Sequence, residues 1–329
     1  MKFLRGGLIT GFSVAAFAVF SPQGMAATLS AANSDGTPKL LTELNFDTVA
    51  SGATTALISV PAGLMNPAFP GWIFSTAKGG SIGFQSTASP SVTGANITAL
   101  EGSYPVPGAG AQFVVASYNL ASLQTEDIYI EFWAKMPGAK QGCKFLKIFG
   151  DRPTPMNFAN ATIFTNYNGG DYGSIYQVDF GDGSVLPNDL QHGVNLNGSN
   201  PQGIGRSYGE ATVLTPQMSA FTSADWGTQW HHFRVHVKFN SGTTSQNEVA
   251  DGEMYLEIDG KVYLDATGLF NRNPANGPIH NVELFGWAQH NPQPFQLWYD
   301  DIRISTGGFM SQALPDPPAN VGASVAGSN

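Results

Sequence analysis

Apolar side chains recur at every second position in two stretches of this chain, and that alternation predicts two half-buried β-strands. From Ile128 to Met136 one set is Ile128, Ile130, Phe132, Ala134 and Met136, and the other is Tyr129, Glu131, Trp133 and Lys135. From Trp230 to Asn240, His231, Phe233, Val235, Val237 and Phe239 stand against Trp230, His232, Arg234, His236, Lys238 and Asn240. Each strand thus has one face for a core and one face carrying aromatic and ionisable groups. A third run sets Met254, Leu256 and Ile258 against Glu253, Tyr255, Glu257 and Asp259, the acids reading as surface acids. It ends in Asp259-Gly260, a two-residue turn sequence before Val262–Leu264, which predicts a hairpin.

Further strands are predicted at Leu41–Asp47, Ile73–Phe74, Ile82–Gln85, Ile97–Glu101, Gln112–Ser117, Val282–Ala288 and Phe295–Ser305. Runs that would form helices are almost absent, and no internal repeat is present. Many one-faced strands with no helices to cover them are satisfied by packing two sheets face to face, so the expected fold is an all-β antiparallel sandwich.

The N-terminus has a different pattern. Lys2 and Arg5 precede the apolar run Leu8–Phe20, and Gly24-Met25-Ala26 ends in small residues, so residues 1–26 read as a secretory signal peptide cleaved before Ala27. The run is too short for a bilayer of ~30 Å, and no later run is longer and equally apolar. The expected location is secreted or periplasmic, with no membrane span. Residues 27–40 are expected to be a flexible lead-in, 41–307 one sandwich, and 308–329 a disordered tail or linker stub poor in large apolar residues.

Loss of residues 1–26 removes two basic and no acidic side chains, moving the formal charge from −9 to −11. Such a chain is a poor partner for nucleic acid, whose binding needs basic patches. Cys143 is the single cysteine, so no internal disulfide forms and a buried, inert thiol is expected.

Particular segments carry a resemblance. WHHFRVHVKF (230–239) and GEMYLEIDGKVYLD (252–265) resemble the "W-H … DG" hairpin of the concanavalin A-like superfamily, which includes lectins, laminin-G-like modules, laminarinase-type glucanases and alginate-lyase-type jelly rolls. LWYDDIRI (297–304) is similar to the closing strand of that superfamily, and residues 129–150 resemble the strands that precede the glucanase catalytic strand. The resemblance implies a two-sheet jelly roll and a carbohydrate partner. It also implies a structural calcium, with Asp300 in the matching position and Glu43 and Asp47 as companions, since calcium takes six to eight oxygen ligands. Ser174–Gly183, where the glucanases carry E-x-D-x-E, offers Asp179 and Asp182 but no glutamate, which argues against the retaining glycosidase mechanism.

A sugar site combines an aromatic plate with planar polar groups. Glu131, Trp133, Lys135, Lys147, Trp230, His232, Arg234 and His236 are the expected glycan contacts, while Trp72, Trp226 and Trp287 read as packing residues. The leading expectation is an exported carbohydrate-binding jelly roll acting on an extracellular or cell-wall polysaccharide. A polysaccharide lyase is the alternative, because proton abstraction beside a uronate carboxylate needs a base, an acid and a cation, and His232, Arg234, His236 and Tyr129 are candidates for these roles. A structural surface or matrix protein is a third reading.

Overall fold

The computed structural model of the chain describes residues 37–46, 69–88, 96–105, 112–137, 142–150, 161–164, 175, 177–180, 192–195, 212–213, 221–241, 249, 251–269, 271–272, 277–288 and 293–311. Asp47 and residues 1–36 lie outside them, as do most of the sequence between 151 and 220 and everything after Ser311.

Within the described residues the strands are β1 (Lys39–Leu44), β2 (Trp72–Ala77), β3 (Ser81–Ala88), β4 (Asn96–Tyr104), β5 (Gln112–Asn119), β6 (Asp127–Lys135), β7 (Leu146–Gly150) and β8 (Ala161–Phe164). They continue with β9 (Gln177–Phe180), β10 (His192–Asn195), β11 (Thr212–Val213), β12 (His231–Lys238), β13 (Gly252–Ile258), β14 (Lys261–Leu269), β15 (Ile279–Ala288) and β16 (Phe295–Thr306). One short helix, α1 (Ser223–Trp226), precedes β12.

These strands form two antiparallel sheets. A nine-stranded sheet has the order β11-β14-β13-β12-β6-β16-β4-β3, with β1 also pairing with β16. A seven-stranded sheet has the order β10-β9-β8-β7-β15-β5-β2. The alternation seen in the sequence is the reason they pack. Ile128, Ile130, Phe132, Ala134 and Met136 from β6 and its end, and Phe233, Val235 and Val237 from β12, are all completely buried. Phe132 stacks on Phe233 with centroids 5.1 Å apart, and Phe145, Trp226 and Tyr299 close around them. Trp72, Trp226 and Cys143 belong to the same core, as the sequence reading required.

The hairpin at Asp259-Gly260 forms between β13 and β14, with both residues at positive φ (51° and 78°) as a type I′ turn demands. The structure also explains the "W-H … DG" pattern. His231 points inward, where its Nδ1 meets Asp259 Oδ2 at 2.7 Å and its Nε2 meets the Trp226 carbonyl at 3.1 Å. The other Asp259 oxygen accepts the His232 backbone N–H at 2.8 Å. One aspartate thus ties the hairpin tip to the start of β12. Burial presses the His231 pKa down, but the Asp259 bond and charge and the Trp226 carbonyl outweigh it and leave the pKa above its ordinary value.

Glu257 departs from expectation. It is buried at a register shift in β13, facing Arg234 instead of solvent.

A second irregularity sits in β15. Phe285 has φ +68°, which costs a non-glycine residue on the order of 1–3 kcal/mol. The twist sends its ring into the core beside Leu284, against Tyr299 at 4.7 Å. On the facing sheet Gly102 makes room, since a Cβ there would lie 2.4 Å from the Phe285 ring.

No helix among the described residues is long and apolar enough to cross a membrane.

Candidate functional site

Each sheet has a face turned away from the core, and the expected glycan contacts divide between them. On the nine-stranded sheet the ladder sets His232 opposite Trp133, Arg234 opposite Glu131 and His236 opposite Tyr129. Lys135 lies over the ring of Trp230, 4.8 Å from its centroid. Seven of the expected contacts, together with Tyr129, therefore share one face. Lys147 does not join them. Its strand β7 belongs to the other sheet, so the whole core separates it from β6 and β12.

Around Glu131 and Arg234 the nine-stranded face is covered by the chain itself. After β16 the backbone turns back, and the Met310 and Ser311 N–H groups donate to Glu131 Oε2 at 2.7 and 3.2 Å, while the Ser311 hydroxyl donates to Glu131 Oε1. Phe309 places its ring 4.1 Å from the Arg234 guanidinium and meets Tyr129 edge-on at 5.0 Å. Arg234 also donates to both oxygens of Glu257, at 3.4 and 3.3 Å, and to the Ser311 carbonyl at 3.3 Å. Tyr129 stacks on His236 at 4.2 Å, and His236 Nε2 meets Asp127 at 2.8 Å. Burial, with Asp127 and Glu253 nearby, pushes the Tyr129 phenol up to about 12, so it stays protonated near neutral pH. Four expected site residues, Tyr129, Glu131, Arg234 and His236, are thus engaged with their own chain. The segment expected to leave the fold at residue 308 remains on the sheet through Ser311.

Around Lys135 and Trp133 the same face is aromatic. The Lys135 ammonium lies between Trp230 and Trp298, 4.8 and 4.9 Å from the two centroids, and donates to the Thr87 hydroxyl at 2.9 Å. Trp133 packs against His232 at 5.0 Å. Burial lowers the pKa of His232 and of Lys135. Trp133 is 6% exposed, which places it with packing residues more than with an open sugar plate.

The seven-stranded face has a different composition. Lys147, Glu283 and Ser117 are cross-strand neighbours on β7, β15 and β5, and their flanking residues Leu146, Ile148, Val282, Leu284 and Ala116 point into the core. Lys147 Nζ donates to Glu283 Oε2 and lies 5.0 Å from the centroid of the Phe149 ring. Asn281 Nδ2 extends the network, donating to the Ser117 hydroxyl at 3.0 Å and to Glu283 Oε1 at 3.3 Å. The same row continues through Thr162 on β8 to the position of Asp179 on β9. Glu283, Asn281 and Ser117 were not singled out by sequence, because only the interleaved strand order makes them neighbours of Lys147. Glu283 and Asp179 stand three strand spacings apart, roughly 14 Å between backbones.

Of the expected calcium ligands, Glu43 accepts from Arg303 Nε at 2.7 Å across the β1–β16 ladder. Asp300 is buried at the β16 bulge, and one of its oxygens accepts the Asp301 N–H at 2.9 Å. The described residues contain no group of three or more His, Cys, Asp or Glu side chains arranged to hold a metal ion.

Two antiparallel sheets packed in this order are consistent with a jelly-roll sandwich. No protein-family model matches the chain, and no curated protein matches it. Among solved structures it is similar to an endo-β-1,4-glucuronan lyase from the fungus Trichoderma reesei, with TM-score 0.47 and 14% identity over 72% of this chain and 92% of that one. It is also similar to alginate lyase vAL-1 from a Chlorella virus, with TM-score 0.39 and 13% identity over 72% and 93% of the two chains. The cellulose-induced protein Cip1 is a further neighbour, with TM-score 0.39 and 17% identity over 71% and 90%.

Proposed function

We propose that this chain is an exported carbohydrate-active jelly-roll protein that binds a polysaccharide across the outward face of its seven-stranded sheet. The observation that carries the proposal is the Lys147–Glu283 pair, largely buried and yet turned away from the core. A buried ion pair contributes little net stability over apolar residues of similar volume, so its place on this face is better explained by a ligand than by folding. With Asn281 and Ser117 it presents planar donors and acceptors suited to sugar hydroxyls, and Phe149 adds an aromatic ring beside Lys147.

A second reading is lyase chemistry, favoured by an ammonium standing with an amide and a carboxylate on one face, where the Lys147 ammonium is suited to offset the charge of a uronate carboxylate. Affinity electrophoresis through gels containing neutral glucans or uronate polymers tests the binding reading. Retardation in at least one polymer, lost in Lys147→Ala, is expected, and unhindered migration of the parent protein through all of them refutes it. Absorbance at about 235 nm on uronate polymers, from the unsaturated product, reports the lyase. The export reading predicts that protein recovered outside the cytoplasm begins at Ala27.

A further inference from the structure

Two tyrosines from the nine-stranded sheet reach across the core to the backbone that carries Lys147 and Glu283. Tyr104, at the end of β4, donates its hydroxyl to the Gly286 carbonyl at 2.9 Å. Tyr299, in β16, donates to the Phe145 carbonyl at 2.7 Å. Gly286 is three residues beyond Glu283, and Phe145 two residues before Lys147, so the two bonds grip the neighbouring strands at one end of the site.

The backbone at that level is irregular. Phe285 is at φ +68° and Gly286 at φ +116°, where a Cβ on Gly286 would lie 2.5 Å from the Lys144 carbonyl oxygen. Phe145 and Phe285 have the sequence parity of Lys147 and Glu283, yet both rings turn inward onto Tyr299, at 5.3 and 4.7 Å. Neither ring stands on the outward face beside the charged pair. Such a local distortion persists only when its surroundings over-determine it. The phenols supply that constraint from the opposite sheet, and burial holds both pKa values well above 10, so the hydroxyls remain donors at any working pH.

We infer that Tyr104 and Tyr299 are positioning residues, fixing the irregular ends of β7 and β15 so that Lys147 and Glu283 are held in register on the outward face. They act from within the core and do not touch a ligand. The inference extends the proposed polysaccharide site, but it concerns the strands themselves and has a readout that needs no sugar.

Tyr104→Phe, Tyr299→Phe and the double variant keep the rings and remove only the hydroxyls. Amide hydrogen exchange is then followed strand by strand in the full chain. Loss of one buried hydrogen bond corresponds to about five- to tenfold faster exchange. That acceleration is expected at residues 145–148 and 282–286, with β12 and β13 unchanged. Equal acceleration in both sheets means a general packing role and overturns the inference, as does no change in the double variant. Polysaccharide affinity, measured well below the melting temperature, is expected to fall about fivefold or more, where a purely structural role would leave it intact. A parent protein that binds no polysaccharide would refute the proposed function while the exchange result still decides the positioning role. Should the double variant fail to fold, each single variant carries the same test.

Discussion

On the nine-stranded sheet Glu131 is matched to Arg234 and to three donors from Met310 and Ser311, whereas on the seven-stranded sheet Glu283 is matched to Lys147 and Asn281. Both are largely buried acid–base pairs on outward faces. The first is roofed by its own chain, with Phe309 over the arginine, and every described acceptor of that carboxylate has an internal donor. Among the described residues the second is held by side chains alone and flanked by small amides and hydroxyls. Residue type therefore did not separate a structural network from a candidate site; among the described residues the two differ in whether main chain or only side chains complete them.

The largest effect expected from breaking this contrast is on folding. Glu131→Ala leaves Arg234 and the 310–311 amides short of their acceptor, and removing one member of such a buried network costs about 3–5 kcal/mol. Urea denaturation measures it, and a loss below about 1 kcal/mol would mean that the 309–311 segment holds without that carboxylate. Trp133→Ala is expected to cost about 3 kcal/mol or more through the cavity it leaves. A variant that kept its stability but lost polysaccharide would restore Trp133 as a sugar plate. For Lys147→Ala the order reverses, with a smaller stability loss and roughly tenfold weaker polysaccharide binding, about 1.4 kcal/mol. Isothermal titration reads this, and equal affinity in parent and variant would remove the seven-stranded face from the reading.

The smallest effect is in pH dependence, where adjacent histidines oppose each other. The folded-state pKa of His231 is raised above 6.5, so its stabilisation is complete below that value and is lost as pH rises through the higher folded pKa. The folded-state pKa of His232 is lowered, chiefly by burial, so its contribution is present above 6.5 and lost as pH falls. Urea midpoints between pH 5 and 8 are expected to tilt toward alkaline stability in His231→Gln and toward acid stability in His232→Gln. Identical tilts in the two variants would contradict the opposed environments.

Much of the fold is visible in the sequence because strand alternation is local. The core faces of β6 and β12 and the Asp259-Gly260 turn follow from adjacent residues alone. Glu257 does not, since it stays on the outward face and is buried there by Arg234 and Tyr255, partners that its own strand pattern does not announce. The roof over Arg234 is equally hidden, because Ser311 lies 77 residues from it and, with Phe309, looks like the start of a tail. Lys147 was named as a glycan contact but grouped with the wrong strands. Assigning it to a sheet requires knowing that β15 enters between β5 and β7, and pairing at that separation leaves no periodic trace.

The pairing of β1 with β16 has a consequence for the order of events during synthesis. Lys39 finds its partner in Thr306, and β6, in the middle of its sheet, is flanked by β12 and β16, both far downstream. A ribosome that has released only the first two hundred residues has produced both faces of β6 and neither of its neighbours. Contacts this distant in sequence close late and slowly. The nascent chain therefore carries β6 with one unpaired edge until β12 emerges and with the other unpaired until Phe295–Thr306 emerges.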